Sequence, residues 1–221
     1  TGIGKTFAYL LPALKYSLHT GEAVHISTST KALQDQIYFN DLAFLKKTFP
    51  YSFSYTKLKG KRNYLSIQAF SEFLDNSFLP NASHISFVLT IIFWSIQSDF
   101  WELDDLDFYG EEYTLLSEIH AGNTQVLSES NPYSHLEFVV RARKRAKKAN
   151  IIVTNNHILF QDIISEGSLL WWVKNLVLDE AHSLEDIVTQ SLKKSLSFHY
   201  IQSFLRKIET KLQKYKITSD T

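Results

Sequence analysis

Leu176-Val177-Leu178-Asp179-Glu180-Ala181-His182 sets three apolar residues directly before two acids, an alanine and a histidine. An apolar run of this kind suits a buried strand in a parallel sheet, whose faces are both covered. The change of chemistry at Asp179 then puts both carboxylates at the carboxyl end of that strand, the edge where open α/β sheets bind ligands. Ile151-Ile152-Val153 reads as another buried strand, and Ala23–Ser27 alternates apolar and polar residues like a short one. The bland reading of His182 is a capping or surface histidine.

Far away in sequence, Thr1-Gly2-Ile3-Gly4-Lys5-Thr6 matches the second half of a phosphate-binding loop, G-x-x-x-x-G-K-[ST]. The leading glycine of that pattern is expected two residues before Thr1. Glycines let backbone N–H groups turn toward phosphate oxygens, and the helix that follows points its positive end at them. Phe7, Leu10, Leu11, Leu14 and Leu18 mark one apolar face of that helix, with Gly21 as its stop and Pro12 as an expected kink. In this reading Thr1–Thr6 bind a nucleotide, Lys5 reaches its β- and γ-phosphates, and Thr6 and Asp179 hold Mg²⁺. Glu180 orients and deprotonates the attacking water. The alternative for the amino-terminal stretch alone is a chance glycine turn before a helix.

Composition removes several other chemistries. The chain has 221 residues, 44% hydrophobic, with Lys plus Arg and Asp plus Glu at 23 each. It can therefore bury a core, and any attraction to nucleic acid must come from local patches. It contains no cysteine, which excludes disulfides, thiolate nucleophiles and Cys-ligated zinc or iron–sulfur centres. The apolar stretch from Ile85 to Ile96 is too short to cross a bilayer, so neither a membrane span nor a membrane partner is expected, and a cytoplasmic location is. The absence of Met, even at position 1, is taken to mean a piece of a longer protein.

Between residues 51 and 148 the strand–helix alternation fails. Lys57, Lys59, Lys61 and Arg62 form a basic knot; Asp99–Glu112 holds seven acids and no base; Arg141–Lys148 holds six bases in eight residues. This middle stretch reads as an insertion in a split α/β domain. The expected organisation is 1–50 and 149–190 for the two parts of that domain, 51–148 for the insertion, and 191–221 for the start of a helical domain. The last carries a heptad-like stripe of Phe198, Ile201, Leu205, Ile208, Leu212 and Tyr215. Ser183 and Asp186 offer a capping pair for the helix before it.

Further strings join the two phosphate-site motifs. Thr28-Ser29-Thr30-Lys31-Ala32-Leu33-Gln34-Asp35-Gln36 resembles the motif that follows the second strand in superfamily 2 helicases, whose acidic string is the Asp-Glu-Ala-His seen here at 179–182. Lys59-Gly60-Lys61-Arg62-Asn63-Tyr64-Leu65, Arg141-Ala142-Arg143 and Ala149–His157 resemble segments of the DinG/XPD-like branch. The resemblance implies a RecA-like P-loop NTPase sheet as the α/β fold, with a mostly helical insertion and the start of a helical arch. It implies an ATP- and Mg²⁺-dependent helicase or translocase on single-stranded or forked DNA, moving 5′ to 3′. His182 would couple nucleotide state to the strand-gripping residues, and Thr30, Lys59, Arg62, Tyr64, Arg141, Arg143 and Asn156 would lie along the strand. A second motor domain in cis would complete the site; it is missing from this chain, which alone is expected to be inactive.

One departure is plain. The branch carries a cluster cysteine after Asn-Tyr-Leu, where this chain has Ser66, and the other cluster positions fall near Val126, Asn131 and Glu137. No iron–sulfur cluster is expected. Two rival functions follow: an ATPase module serving a nuclease, or a degenerate protein that clamps single strands without turnover. Trp171-Trp172 reads as core packing.

Overall fold

The computed structural model describes residues 4–76, 82–122, 133–164 and 173–192. The described elements are, in order, α1 (Lys5–Thr20), β1 (Val24–Thr28), α2 (Lys31–Gln36), a π-helical segment (Ile37–Leu42), α3 (Ala43–Thr48), β2 (Tyr55–Lys57), α4 (Ile67–Asn76), α5 (Ala82–Gln97), α6 (Glu111–Leu116), α7 (Phe138–Ala146), β3 (Ile151–Asn155), α8 (Asn156–Ile164), β4 (Asn175–Leu178) and α9 (Leu184–Leu192), with short 3₁₀ turns between some of them. Residues 1–184 form one compact unit and residues 185–221 a second. The heptad-like stripe at 198–215 and Trp171-Trp172 lie outside the described residues.

All four strands run parallel in the order β2-β3-β1-β4. With helices on both faces this is the α/β, RecA-like sheet expected from the sequence. β1 lies between β3 and β4, Val24 pairing with Ile151 on one side and Asn175 on the other. The short strand expected from the alternation at 23–27 is β1, and all five of its residues are buried, polar ones included. Two of its polar side chains find partners inside the sheet: His25 Nε2 lies 2.6 Å from Thr154 Oγ1, and Ser27 Oγ donates to Asn156 Oδ1 at 2.5 Å. β4, expected to be covered on both faces, is the outermost of the described strands on its side, with Leu176 and Leu178 exposed.

Two other elements depart from the sequence reading. β2 is a sheet strand drawn from the stretch assigned to the insertion; three residues, one of them lysine, carry no apolar periodicity. The spacing of Leu33, Ile37 and Phe44 would put them on one face of a regular helix, but the π-helical segment separates them. Its wider turn rotates everything after it, so Leu42 and Leu45 are buried and Phe44 is 55% exposed. α1 runs from Gly4, in the left-handed region at φ 71°, to Gly21 at φ 74°, whose N–H donates to the Ser17 carbonyl. Both positions call for glycine. Helix α1 is continuous through Pro12 because that residue faces solvent, where water can serve the carbonyl left without a partner.

The sheet separates two apolar cores. Leu10, Leu14, Ile26, Ile37, Leu42, Ile151 and Val153 fill one face. On the other, Ile152 and Ile158 join Leu58, Tyr64, Phe87, Ile91, Ile119, Phe138 and Val139, so the insertion packs as an extension of the sheet's own core. Alternation along β3 divides its side chains between the two.

Burial lowers the His25 pKa from 6.5 to about 4. Between those values the unfolded chain binds a proton that the folded one refuses, so stability falls as pH drops through that window, by about 3 kcal/mol in full. Urea unfolding from pH 7 to pH 4 should show this slope, and His25→Gln should flatten it; an unchanged slope would remove His25 as the cause.

Candidate functional site

The β1–β4 ladder extends one residue past β4, since the Asp179 N–H donates to the Ser27 carbonyl at 2.8 Å. Asp179 therefore stands at the carboxyl edge of the sheet, level with Thr28 and Asn155. Its Oδ1 accepts from the Glu180 N–H at 3.0 Å and its Oδ2 from the Tyr9 hydroxyl at 3.0 Å. Glu180 then turns out of the ladder with φ 53° and ψ 45°. That left-handed conformation costs a non-glycine residue about 1–2 kcal/mol.

This turn carries the Glu180 carboxylate to the start of α1. Lys5 Nζ lies 3.4 Å from Glu180 Oε1, and His182 Nδ1 lies 3.3 Å from Oε2. The Lys5 and His182 side chains are largely exposed, so these contacts add little to stability. Ser183 donates through both N–H and Oγ to the Glu180 carbonyl, at 3.0 and 2.9 Å, and fixes the turn. Lys5, Thr6, Asp179, Glu180 and His182 thus converge at one edge, with Gly4 leading into α1. Thr1, Gly2 and Ile3 lie outside the described residues.

Tyr9 belongs to this group and was missed by sequence reasoning. Burial, and then the Asp179 charge, push its pKa well above the ordinary tyrosine value, so the hydroxyl is a donor to Asp179. The signal was present in the spacing: Tyr9 follows Lys5 by four residues and Thr6 by three, one helical turn along the same face. The donor set here is hard oxygen, a hydroxyl and a carboxylate. That fits Mg²⁺, which uses few protein ligands and keeps waters and phosphate oxygens. Among the described residues no group of three or more His, Cys, Asp or Glu side chains is placed to hold a metal by itself.

The residues expected along a DNA strand do not stay together. Thr30 is exposed and caps α2, accepting from the Leu33 N–H at 3.1 Å, and Arg62 is exposed. Lys59, Tyr64 and Asn156 are interior, contrary to expectation. Tyr64 is fully buried, its hydroxyl accepting from the Lys59 N–H at 3.0 Å, which leaves no ring face for a base. Asn156 is buried against Ser27. Lys59 is 3% exposed, and both its ammonium and that of Lys57 converge on Glu102 Oε2, at 2.8 and 2.7 Å. Asp35 binds Lys57 at 2.8 Å, and Asp104 joins Lys59 and Lys31 at 3.4 and 2.8 Å, so three cations meet three carboxylates. Burial opposes the Lys59 charge, but Glu102 and its neighbours outweigh it and raise its pKa. Arg141 is half-buried over Trp101 and Phe138, 5.4 and 5.8 Å from the ring centroids. Burial lowers the pKa of Arg143, which is also half-buried.

Ser66 and Glu137, two of the positions aligned with cluster cysteines, meet each other. Glu137 is fully buried; its carboxylate accepts from Ser66 Oγ at 3.0 Å, the Ile67 N–H at 3.2 Å and the Gln68 N–H at 3.0 Å, capping α4. A cluster that needs four thiolates does not fit a chain without cysteine. Val126 and Asn131 lie outside the described residues.

The parallel sheet and its helices define an α/β domain of the RecA-like class. No protein-family model matches the chain. It is 34% identical over 202 residues, 89% of its length, to the ATP-dependent DNA helicase YoaA of Escherichia coli, and 29% identical over its full length to the Haemophilus influenzae protein of that name. It is 27% identical over 89% of its length to the 3'-5' exonuclease DinG of Staphylococcus saprophyticus. By these relationships the chain is a DinG/XPD-like helicase relative over most of its length. It spans 31%, 36% and 21% of the length of those three relatives.

Glu102→Gln should leave two buried ammonium groups short of charge and destabilise the protein by about 3–5 kcal/mol in urea unfolding. Glu137→Ala removes the acceptor of three donors, two of them backbone N–H groups, and should cost about 3 kcal/mol, with Glu137→Gln costing less because one acceptor remains. Equal stability of Glu137→Ala and wild type would show that the capping contact contributes nothing.

Proposed function

We propose that the protein carrying this chain is an ATP-dependent DNA helicase or translocase acting on single-stranded or forked DNA in the cytoplasm. The observation that carries this reading is the meeting of Lys5 and Thr6 with Asp179 and Glu180 at the carboxyl edge of the sheet. Backbone N–H groups of residues 1–6 would bind the phosphates, and Lys5 would neutralise the charge at the β- and γ-positions. Thr6 and Asp179 would hold Mg²⁺, which when bound offsets phosphate charge. Glu180, kept in place by its turn and by Lys5 and His182, would orient a water and take its proton. His182 would carry the state of this site toward the strand path. The geometry supports Thr30 and Arg62 as phosphate contacts, with Arg141 and Arg143 contributing what their half-buried guanidiniums leave accessible. The protein would work without an iron–sulfur cluster, its insertion held by packing, the Lys57–Glu102–Lys59 charges and Glu137. A second motor domain in cis would complete the nucleotide site.

The name of the staphylococcal relative favours a second reading, an ATPase module linked to a nuclease. Release of nucleotides from a 3'-labelled single strand by the full-length protein would support it. For the helicase reading, Lys5→Ala and Glu180→Gln should each lower DNA-stimulated ATPase of the full-length protein at least a hundredfold. Retained turnover in either variant would overturn the roles assigned here. Strand binding that ignores ATP and survives Lys5→Ala would instead favour a clamp.

A further inference from the structure

The Tyr9 phenol stands against Asp179, one of the two side chains assigned to the metal, and one helical turn after Thr6, the other. Its hydroxyl donates to Asp179 Oδ2 at 3.0 Å. The Glu180 N–H holds the opposite oxygen, Oδ1, at 3.0 Å. Each carboxylate oxygen therefore accepts one bond and keeps lone-pair capacity for another partner. Rotation of the Asp179 carboxylate would break both contacts. The helix fixes the phenol in turn, because Tyr9 is half-buried and packs against the core that α1 shares with β1 and β3.

We propose that Tyr9 is a positioning residue for the magnesium–nucleotide complex: its hydroxyl sets the Asp179 carboxylate in its working orientation before the ligand arrives. The proposal rests on the nucleotide-site reading above. Tyr9 acts through Asp179, so its removal should alter the need for metal and leave metal-free binding alone. A tyrosine serving only to fill space would show neither effect when replaced by phenylalanine, which keeps the ring. A hydrogen bond to a charged group is worth enough that its loss should raise the required Mg²⁺ concentration roughly fivefold to tenfold.

The test uses the full-length protein and a fluorescent ADP analogue, titrated with Mg²⁺ in wild type and Tyr9→Phe, with thermal melting as a check on folding. The expected result is equal binding in EDTA and a fivefold to tenfold rise in half-saturating Mg²⁺ for Tyr9→Phe. An unchanged or lower half-saturating Mg²⁺ would overturn the proposal while leaving the nucleotide site intact. Wild type that fails to bind the analogue at any Mg²⁺ concentration would remove both readings. Should Tyr9→Phe melt too early to titrate, Asp179→Asn serves beside it: the double variant, measured at lower temperature, should differ from Asp179→Asn by less than twofold in half-saturating Mg²⁺. An undiminished effect there would show that Tyr9 acts elsewhere and sink the idea.

Discussion

A single main-chain hydrogen bond, from the Asp179 N–H to the Ser27 carbonyl, decides where the acidic pair stands. β1 is held on both sides by parallel partners, so its register sets the height of everything at the carboxyl edge. Side chains alternate along a strand, and a slip of one residue would exchange the roles of Asp179 and Glu180. With the register as it is, Asp179 turns to Tyr9 on α1. Glu180 leaves the ladder through a left-handed turn and reaches Lys5. Two successive carboxylates thus acquire different neighbours from one backbone decision.

The insertion is attached by a different kind of constraint. Glu102 lies inside the protein between Lys57, at the end of the edge strand, and Lys59 just beyond it, while Asp35 brings α2 to the same cluster. Such buried pairs add less net stability than their Coulomb attraction suggests, because desolvation opposes it. They do penalise misplacement heavily, since a displaced partner leaves a charge buried alone. Gln34 adds a neutral tie, donating to the carbonyls of Leu58 and Val153 at 3.0 and 2.8 Å. At the far end of the insertion Glu137 closes α4. Polar contacts of fixed geometry therefore register the helices on the sheet, and the apolar core supplies the bulk of the attraction.

The parts legible in the sequence are those whose chemistry is local. Leu176–Leu178 followed by two acids declares a strand and its ligand edge; Gly4-Lys5-Thr6 declares a turn entering a helix. Residues whose meaning depends on distant partners were misread. Lys59 sits in a basic knot and looks solvated, yet Glu102, which buries it, is 43 residues further along. Tyr64 looks like a stacking platform because nothing nearby announces the core that encloses it. The π-helical segment has no composition of its own, so the phase change that exposes Phe44 could not be seen in the periodicity. β2 is too short for periodicity to speak.

The basic block at 141–148 shows how much charge a fold can withhold from its surface. Arg141 and Arg145 are four residues apart and share a face of α7. Both lie over aromatic rings: Arg141 over Trp101 and Phe138, Arg145 over Phe100 and Trp101, with Trp101 stacked on Phe138 at 4.6 Å. Arg145 also donates to the Asp99 carbonyl at 3.0 Å. Lys144 on the same helix, and Lys147 and Lys148 just past its end, are exposed. A phosphate chain is attracted by charges it can approach, since affinity follows the number of phosphates neutralised. Six bases in eight residues therefore represent fewer available cations than the sequence suggests, and part of this helix's charge is used to hold the aromatic side of the insertion together.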